Sequence, residues 1–292
     1  MGKKKDSLEL YFHIPFCIKK CDYCDFLSGP ATRAGQEAYI YALLREMKAV
    51  SAIEKRTVDT VFIGGGTPSV PECGIMEKLL QGIGKNFQLA ADAEVTIEAN
   101  PGTLTPEKLA LYRRYGINRI SIGLQSPENQ ELRALGRIHN YQQFLESYHM
   151  AREAGFSNIN IDLMFAIPGQ SYEGWIQNLR TVAKLGPEHI SAYSLIIEEG
   201  TPFSARKLDL PDEDTEYRMY EDVAAVLGKY GYYQYEISNY AKKDRNCRHN
   251  EGYWQRKDYL GLGLGAASLV GRERFTNTSD MSEYLENSGN LE

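Results

Sequence analysis

Three cysteines lie within eight residues near the start of the chain, at Cys17, Cys21 and Cys24, with the spacing C-x3-C-x2-C. Closely spaced thiolates of this kind are typical ligands of an iron–sulfur cluster. Because a cubic [4Fe–4S] cluster has four irons, three ligands leave one iron open to a substrate or cofactor. The alternatives are a disulfide and a structural zinc. Structural zinc takes four ligands, and an odd count of five cysteines does not fit a disulfide frame.

A second set of candidate residues stands where apolar, strand-like runs end. The triple glycine Gly64–Gly66 and Thr67 follow one run, and Glu98, Gln125 and Asp162 lie at the ends of three others. Glycine lets a backbone approach a ligand closely, and a carboxylate accepts hydrogen bonds from hydroxyl or ammonium groups. Each feature alone has a structural alternative, because glycines also form tight turns and polar residues also cap helices.

These candidates are positioned by a repeated order of strand and helix. Hydrophobic periodicity predicts six strands, at Leu8–His13, Val58–Ile63, Glu94–Ala99, Arg119–Gly123, Asn158–Leu163 and His189–Leu195. It predicts that helices follow them at Gly35–Ala52, Ile75–Phe87, Pro106–Tyr115, Tyr141–Ala154, Tyr172–Leu185 and Asp214–Leu227. Repeated βα units form a parallel sheet whose carboxyl ends lie on one side, so we expect the candidates to converge there. Periodicity leaves open whether the sheet is a partial barrel or a doubly wound open sheet.

Composition limits the classes of partner and the compartment. The 292 residues are 42% hydrophobic and 25% charged, which is ordinary for a globular protein. A net charge of -6 gives no general attraction for nucleic acid, and no apolar run is long enough to cross a membrane. The N-terminus lacks the apolar core of a signal peptide. We therefore expect a cytoplasmic protein in a reducing compartment, without nucleic acid as a partner.

The cysteine spacing resembles that of the radical S-adenosylmethionine (SAM) superfamily, and further motifs narrow the resemblance. These motifs are His13–Cys17, Tyr23–Phe26, Gly64–Ser69, Gly136–His139 and Tyr235–Tyr240. They are similar to those of oxygen-independent coproporphyrinogen III dehydrogenases and their haem-chaperone relatives. This family implies an α/β fold, a partial (βα)6 TIM-like barrel over residues 1–230 with a short C-terminal extension over 231–292. The family's largely helical C-terminal region would then be missing.

The resemblance also implies the cofactors and their ligands. Cys17, Cys21 and Cys24 would hold a [4Fe–4S] cluster, which an electron donor such as flavodoxin or ferredoxin would reduce. Arg137 would pair with the carboxylate of SAM, and the family's chemistry would be reductive cleavage of SAM. The positions that match SAM-binding residues of the family are Tyr11, Tyr23, Gly65, Gly66, Thr67, Glu98, Gln125, Arg137, Asp162 and Ile196.

Two features separate the branches of this family. The dehydrogenases have a fourth cysteine two places after the third, where this chain has Phe26. The chaperones have a His-Asn-x-x-Tyr motif that is linked to haem, and here it is His249–Tyr253. The resemblance therefore favours a haem chaperone that passes haem to an acceptor protein, with His249 on a partly exposed loop as the haem ligand. An active radical SAM oxidoreductase of the coproporphyrinogen oxidase kind is the alternative, and a purely structural cluster is a weaker one.

Overall fold

A computed structural model describes residues 7–290. Its centre is a set of six parallel strands, each followed by one or two helices. The strands are β1 Ser7–Ile14, β2 Thr57–Gly65, β3 Leu89–Ala99, β4 Arg119–Gln125, β5 Ile159–Phe165 and β6 His189–Ser194. The helices are α1 Arg33–Ile53, α2 Cys73–Asn86, α3 Pro106–Arg114, α4 Asn129–Ala134, α5 Tyr141–Glu153, α6 Tyr172–Lys184 and α7 Glu213–Gly228. All six predicted strands and all six predicted helices are confirmed.

The two faces of the parallel strands differ in chemistry. On β1, Leu8, Leu10 and Phe12 are fully buried in the apolar core, to which α1 and the following helices contribute. Because side chains alternate along a strand, the residues between them point to the other face. On β3 to β6 that inner face is polar, since Glu98, Arg119, Ser121, Asn160, Asp162 and Ser191 line one cavity. The sheet therefore encloses a polar interior.

The rest of the chain extends the sheet at both edges. The added elements are β7 Tyr233–Gln234, β8 Asn239–Ala241, α8 Arg248–Trp254, β9 Tyr259–Leu262, β10 Ala267–Val270, β11 Glu273–Thr276 and α9 Met281–Asn287. The strand order is β11-β10-β9-β1-β2-β3-β4-β5-β6-β8-β7, and the two edges do not pair with each other. An open, curved α/β sheet of this kind confirms the partial barrel. The domain boundary at residue 230 stays a prediction.

One expectation about local structure is wrong. The segment around His249 was expected to be a partly exposed loop, but Arg248–Trp254 form helix α8 and His249 is buried. The N-cap residue Cys247 makes no side-chain capping bond. Instead, Glu94 of β3 accepts the backbone N–H of His249 at 3.2 Å. This capping partner lies 155 residues away in sequence, so local patterns do not predict the helix. None of the helices within residues 7–290 is long and apolar enough to cross a membrane.

Candidate functional site

The carboxyl ends of the parallel strands surround a pocket of about 310 Å³. Twelve of its lining residues are ones that the sequence analysis singled out by name. They are Cys17, Cys21, Tyr23, Cys24, Phe26, Gly65, Gly66, Glu98, Gln125, Arg137, Asp162 and Ile196. Tyr23, Phe26 and the three cysteines belong to the loop after β1, and the others follow later strands. Most of the predicted site is therefore assembled in one place, as the parallel arrangement of strands requires.

The cysteine loop presents three free, partly exposed thiols to this pocket. Backbone bonds fold the loop, from Cys17 N to Gly29 O at 3.0 Å and from Cys24 N to Cys21 O at 3.2 Å. Within residues 7–290, no three His, Cys, Asp or Glu side chains converge closely enough to hold a single metal ion. Three thiols on the wall of one pocket are a ligand set that a [4Fe–4S] cluster can use. Cys73 and Cys247 lie outside this pocket.

The glycines after β2 pack directly against the cysteine loop. A Cβ atom on Gly66 would lie 2.8 Å from the carbonyl oxygen of Phe16 and 3.0 Å from the sulfur of Cys17. Gly65 has a φ of +112°, and a Cβ there would lie 2.7 Å from the ring of His13. Glycine is therefore required both by backbone conformation and by the close approach of the two loops. A larger residue at either position would disturb the cluster loop as well as a bound ligand.

Arg137 connects the cysteine loop to two strand ends. Its Nη2 donates to Asn100 Oδ1 and to the carbonyl oxygen of Gly123, both at 2.7 Å. Its Nη1 lies 3.5 Å from the sulfur of Cys21. Asn100 continues the network by donating to Thr67 Oγ1 at 2.7 Å. Thr67 itself lies at 3.5 Å from the sulfur of Cys17, so two of the three sulfurs have a polar neighbour. Such groups around a cluster ligand orient it and tune its electronic properties.

Two carboxylic acids give the pocket its electrostatic character. Burial, helped by the charge of Asp162, raises the pKa of Glu98 to about 8. Burial also raises the pKa of Asp162, although hydrogen bonds from Ser191, Asn160 and Ser121 oppose the shift. Glu98 accepts the backbone N–H of Gly65 at 3.1 Å. Both acids can thus accept hydrogen bonds from the hydroxyl or ammonium groups of a ligand in the pocket.

Gln125 is held in an unusual backbone conformation at the end of β4. Its φ is +71°, and the pairing between β4 and β5 slips by one residue between Gly123 and Gln125. Its side-chain oxygen accepts the hydroxyl of Tyr193 at 2.8 Å. Non-glycine residues with a left-handed backbone are uncommon and concentrate at functional sites. The bulge directs Gln125 into the pocket.

Two predicted site residues lie beside the pocket rather than on its wall. Tyr11 is partly buried, donates to or accepts from His13 Nδ1 at 3.0 Å, and stacks on the ring of Phe62. Thr67 lines a smaller cavity next to the main pocket. Ile196, the candidate that rested on alignment alone, lines the main pocket and is 66% exposed.

His249 lies away from this pocket, in contact with the inner face of β2. Its Nδ1 is 2.6 Å from Thr60 Oγ1, and its Nε2 is 2.9 Å from the hydroxyl of Tyr253. Its ring stacks on Phe62. Burial, with the nearby cations Arg119 and Lys257, lowers its pKa to about 3, so the imidazole is neutral at neutral pH. Both ring nitrogens already have hydrogen-bond partners in this conformation.

Sequence reasoning missed three residues that shape the site. His13 joins the two loops, because its Nε2 lies 2.9 Å from the carbonyl oxygen of Leu27 while Gly65 packs on its ring. Asn100 joins Arg137 to Thr67, and Tyr193 supports Gln125. His13 stands inside a motif and Asn100 lies two residues after the candidate Glu98, so the signal for them was available. Nothing local distinguishes Tyr193, one of 20 tyrosines, from a core residue.

Comparison with known proteins identifies the family. The model of the radical SAM superfamily matches residues 11–182. The heme chaperone HemW of Escherichia coli (strain K12) is 43% identical over 269 residues, which are 91% of this chain and 71% of that protein. This chain belongs to the HemW family. The heme chaperone HemW of Bacillus subtilis (strain 168) is 37% identical over 282 residues, 94% of this chain and 74% of that protein.

A solved structure supports both the fold and the distinction between branches. The coproporphyrinogen III oxidase HemN of Escherichia coli, described as a radical SAM enzyme, matches with a TM-score of 0.88 at 26% identity. The match covers 98% of this chain and 70% of that one. HemW-family proteins and HemN thus share the barrel. The higher identity to HemW proteins agrees with the branch that Phe26 and the His249–Tyr253 motif favour.

Proposed function

We propose that this protein is a haem chaperone built on a radical SAM core, which binds haem and transfers it to an acceptor protein. Cys17, Cys21 and Cys24 hold a [4Fe–4S] cluster, and SAM binds in the adjoining pocket. The observation that supports this core most strongly is that three thiols and eight of the family's SAM-contacting positions share one pocket. Haem transfer rests on the names of the HemW relatives and on the His249–Tyr253 motif.

Each group in the pocket has a defined task when the cofactors are bound. The cluster supplies single electrons to SAM. Glu98 and Asp162 accept hydrogen bonds from ribose hydroxyls or the ammonium group, and Arg137 pairs with the carboxylate of SAM. Tyr11 and Thr67 do not line the pocket but contact residues next to it. Tyr11 is hydrogen-bonded to His13, and Thr67 accepts a hydrogen bond from Asn100. An electron donor of the flavodoxin or ferredoxin kind would supply these electrons.

Haem binds through the neutral imidazole of His249, a common type of haem-iron ligand. Because His249 is 1% exposed and Thr60 and Tyr253 occupy both ring nitrogens, one of these hydrogen bonds must break and the ring must be uncovered before the iron can bind. Each hydrogen bond contributes only about 0.5–1.5 kcal/mol net, so the cost is within reach of an iron–imidazole bond. Tyr253 and Trp254 are 38% and 58% exposed and offer an aromatic surface for the macrocycle. Because only two weak hydrogen bonds compete with haem for His249, this histidine suits a carrier that must also release its haem.

The direct test of carriage is transfer to a generic acceptor. The cluster-loaded protein is charged with one equivalent of haem without oxygen and mixed with apomyoglobin, and the Soret band is followed. We expect stoichiometric binding followed by movement of haem to the acceptor. Failure to bind haem, or binding that apomyoglobin cannot displace at any excess, would contradict a carrier function.

We also predict that the chain does not convert coproporphyrinogen III to protoporphyrinogen IX. Phe26 replaces the fourth cysteine of the dehydrogenases and stands at the pocket wall with 61% of its surface exposed. The assay uses the cluster-loaded protein with reductant and excess SAM under anaerobic conditions, and HemN is the positive control. Product formed over several turnovers would reject the chaperone assignment in favour of an oxidoreductase.

A further inference from the structure

A second cavity, of about 220 Å³, lies inside the barrel below the SAM pocket. The two spaces share three lining residues, Glu98, Asp162 and Tyr193. On its other side the cavity reaches Asn250 of helix α8 and Asn239 of β8. None of the tasks described above uses this space. Its walls are mainly polar, which is unusual for the interior of a sheet and indicates a ligand or ordered water.

Arg119 of β4 lines this cavity and is only 1% exposed. Its guanidinium has no carboxylate oxygen within 4.0 Å in the part of the chain that the structure describes. Its buried Nε also has no hydrogen-bond partner there. A buried charge without a partner is costly, so most buried arginines are paired and hydrogen-bonded. The missing partner must therefore come from the cavity that the side chain lines.

The acids nearest to Arg119 are engaged with other groups. Glu94 accepts from the sulfur of Cys247 at 3.5 Å and from the backbone of His249 at 3.2 Å. Asp162 accepts from Ser121 and Asn160. Neither forms an ion pair with Arg119, although the negative charge of each raises the pKa of Arg119. The Oδ1 atom of Asn239 is also buried without a partner among the described residues; because it is an acceptor it needs a donor such as water, and the Nδ2 group of the same amide remains to donate to a ligand.

We propose that this cavity is a binding site for the carboxylate group of a ligand, with Arg119 as its ion partner. A planar carboxylate matches the fork of a guanidinium and leaves the amides of Asn239 and Asn250 to complete its hydrogen bonding. Asp162 stands at the upper wall, and its carboxylate disfavours a doubly charged anion such as phosphate more than a singly charged carboxylate. The site is separate from Arg137, which serves the carboxylate of SAM, and does not depend on haem transfer.

Sodium propionate is the probe, and saturation-transfer NMR of the cluster-loaded full chain is the measurement. Propionamide has the same shape without the charge, so it is the matched ligand control. We expect propionate to bind about tenfold or more tightly than propionamide, because a charged hydrogen-bonded pair is lost with the amide. In R119Q this preference should disappear, and in R119K part of it should remain. The control variant R274Q, which changes an exposed arginine on β11, should bind as wild type does.

Two results would overturn the proposal. One is equal binding of propionate and propionamide by the wild-type protein, a comparison that needs no variant to fold. The other is full retention of the preference in R119Q. Competition distinguishes the sources of the carboxylate: displacement of propionate by coproporphyrin III but not by its tetramethyl ester assigns the site to a tetrapyrrole side chain. If coproporphyrin III does not displace propionate, the site is assigned to a small carboxylic acid.

Discussion

The residues nearest the three thiols determine how a cluster would behave in this protein. Arg137 and Thr67 each place a polar group 3.5 Å from a cysteine sulfur, at Cys21 and Cys17 respectively. Donors to cluster sulfurs stabilise the reduced form and raise the reduction potential. Arg137, which we propose pairs with SAM, thus also contacts the sulfur of Cys21, a proposed cluster ligand.

Substitution of Cys17, Cys21 or Cys24 by alanine should remove the [4Fe–4S] cluster. Three ligands are the minimum in this loop, and none of the other cysteines lies in the pocket to replace one. Iron, acid-labile sulfide and visible absorbance after anaerobic reconstitution provide the measurement. Cys73→Ala at the start of α2 is the matched control and should reconstitute fully. An unchanged cluster in Cys21→Ala would reject the ligand assignment.

The titration of Glu98 should make stability depend on pH. Its pKa is raised from 4.5 to about 8 by burial, so the neutral form is favoured in the folded state. Its contribution to stability is therefore complete below about pH 4.5 and is lost as the pH rises through about 8. Glu98→Gln keeps the shape and removes this loss. Its advantage over wild type in free energy of unfolding should grow between about pH 6 and about pH 9, by a few kcal/mol at most.

Anaerobic urea unfolding at the two pH values measures this difference. Glu153→Gln, at the exposed end of α5, is the control and should change the free energy of unfolding equally at both. If Glu98→Gln also shows no change with pH, Glu98 is not held neutral in the pocket.

Among the elements, periodicity predicted those whose structure is set by neighbouring residues in sequence. The six strands and the helices after them have clear apolar patterns, and caps such as Thr105 with Pro106 are visible in the chain. The bulge at Gln125 and the helix α8 were not predictable in this way. The first depends on pairing with β5, and the second on capping by Glu94. Both lie beside a site, where tertiary contacts override local preference.

Helix α8 gives a prediction about haem affinity. The Tyr253 hydroxyl lies 2.9 Å from His249 Nε2. Tyr253→Phe therefore removes one of the two hydrogen bonds that occupy the ring nitrogens of His249 and keep them from binding iron. We expect this variant to bind haem up to about tenfold more tightly, since one neutral hydrogen bond is worth about 1 kcal/mol. Tyr217→Phe, which removes the hydroxyl of an exposed tyrosine on α7, is the matched control and should bind haem as the wild type does. Weaker haem binding by Tyr253→Phe would mean that the hydroxyl stabilises the complex and not the closed state.

In the molecule as a whole, one polar interior connects the cluster end of the barrel to helix α8. The SAM pocket and the lower cavity share Glu98, Asp162 and Tyr193, and Phe62 of the lower cavity stacks on His249. The motifs predicted which residues gather at the upper end, because each motif follows a parallel strand. The motifs did not predict the lower cavity. Arg119, Asn160 and Ser191 lie in three different strands, outside any motif, and become neighbours only when the chain folds.

Haem titration of His249→Ala tests the central claim most directly. The cluster-loaded wild type and variant are titrated with haem under anaerobic conditions, and the Soret band gives affinity and ligation. His139→Ala is the matched control, because His139 is also buried with a pKa lowered to about 3, beside the SAM residues. The account predicts that His249→Ala loses the wild-type Soret position and most of the affinity, while His139→Ala keeps both. The same spectrum and affinity in His249→Ala and wild type would contradict haem carriage through the His249–Tyr253 motif.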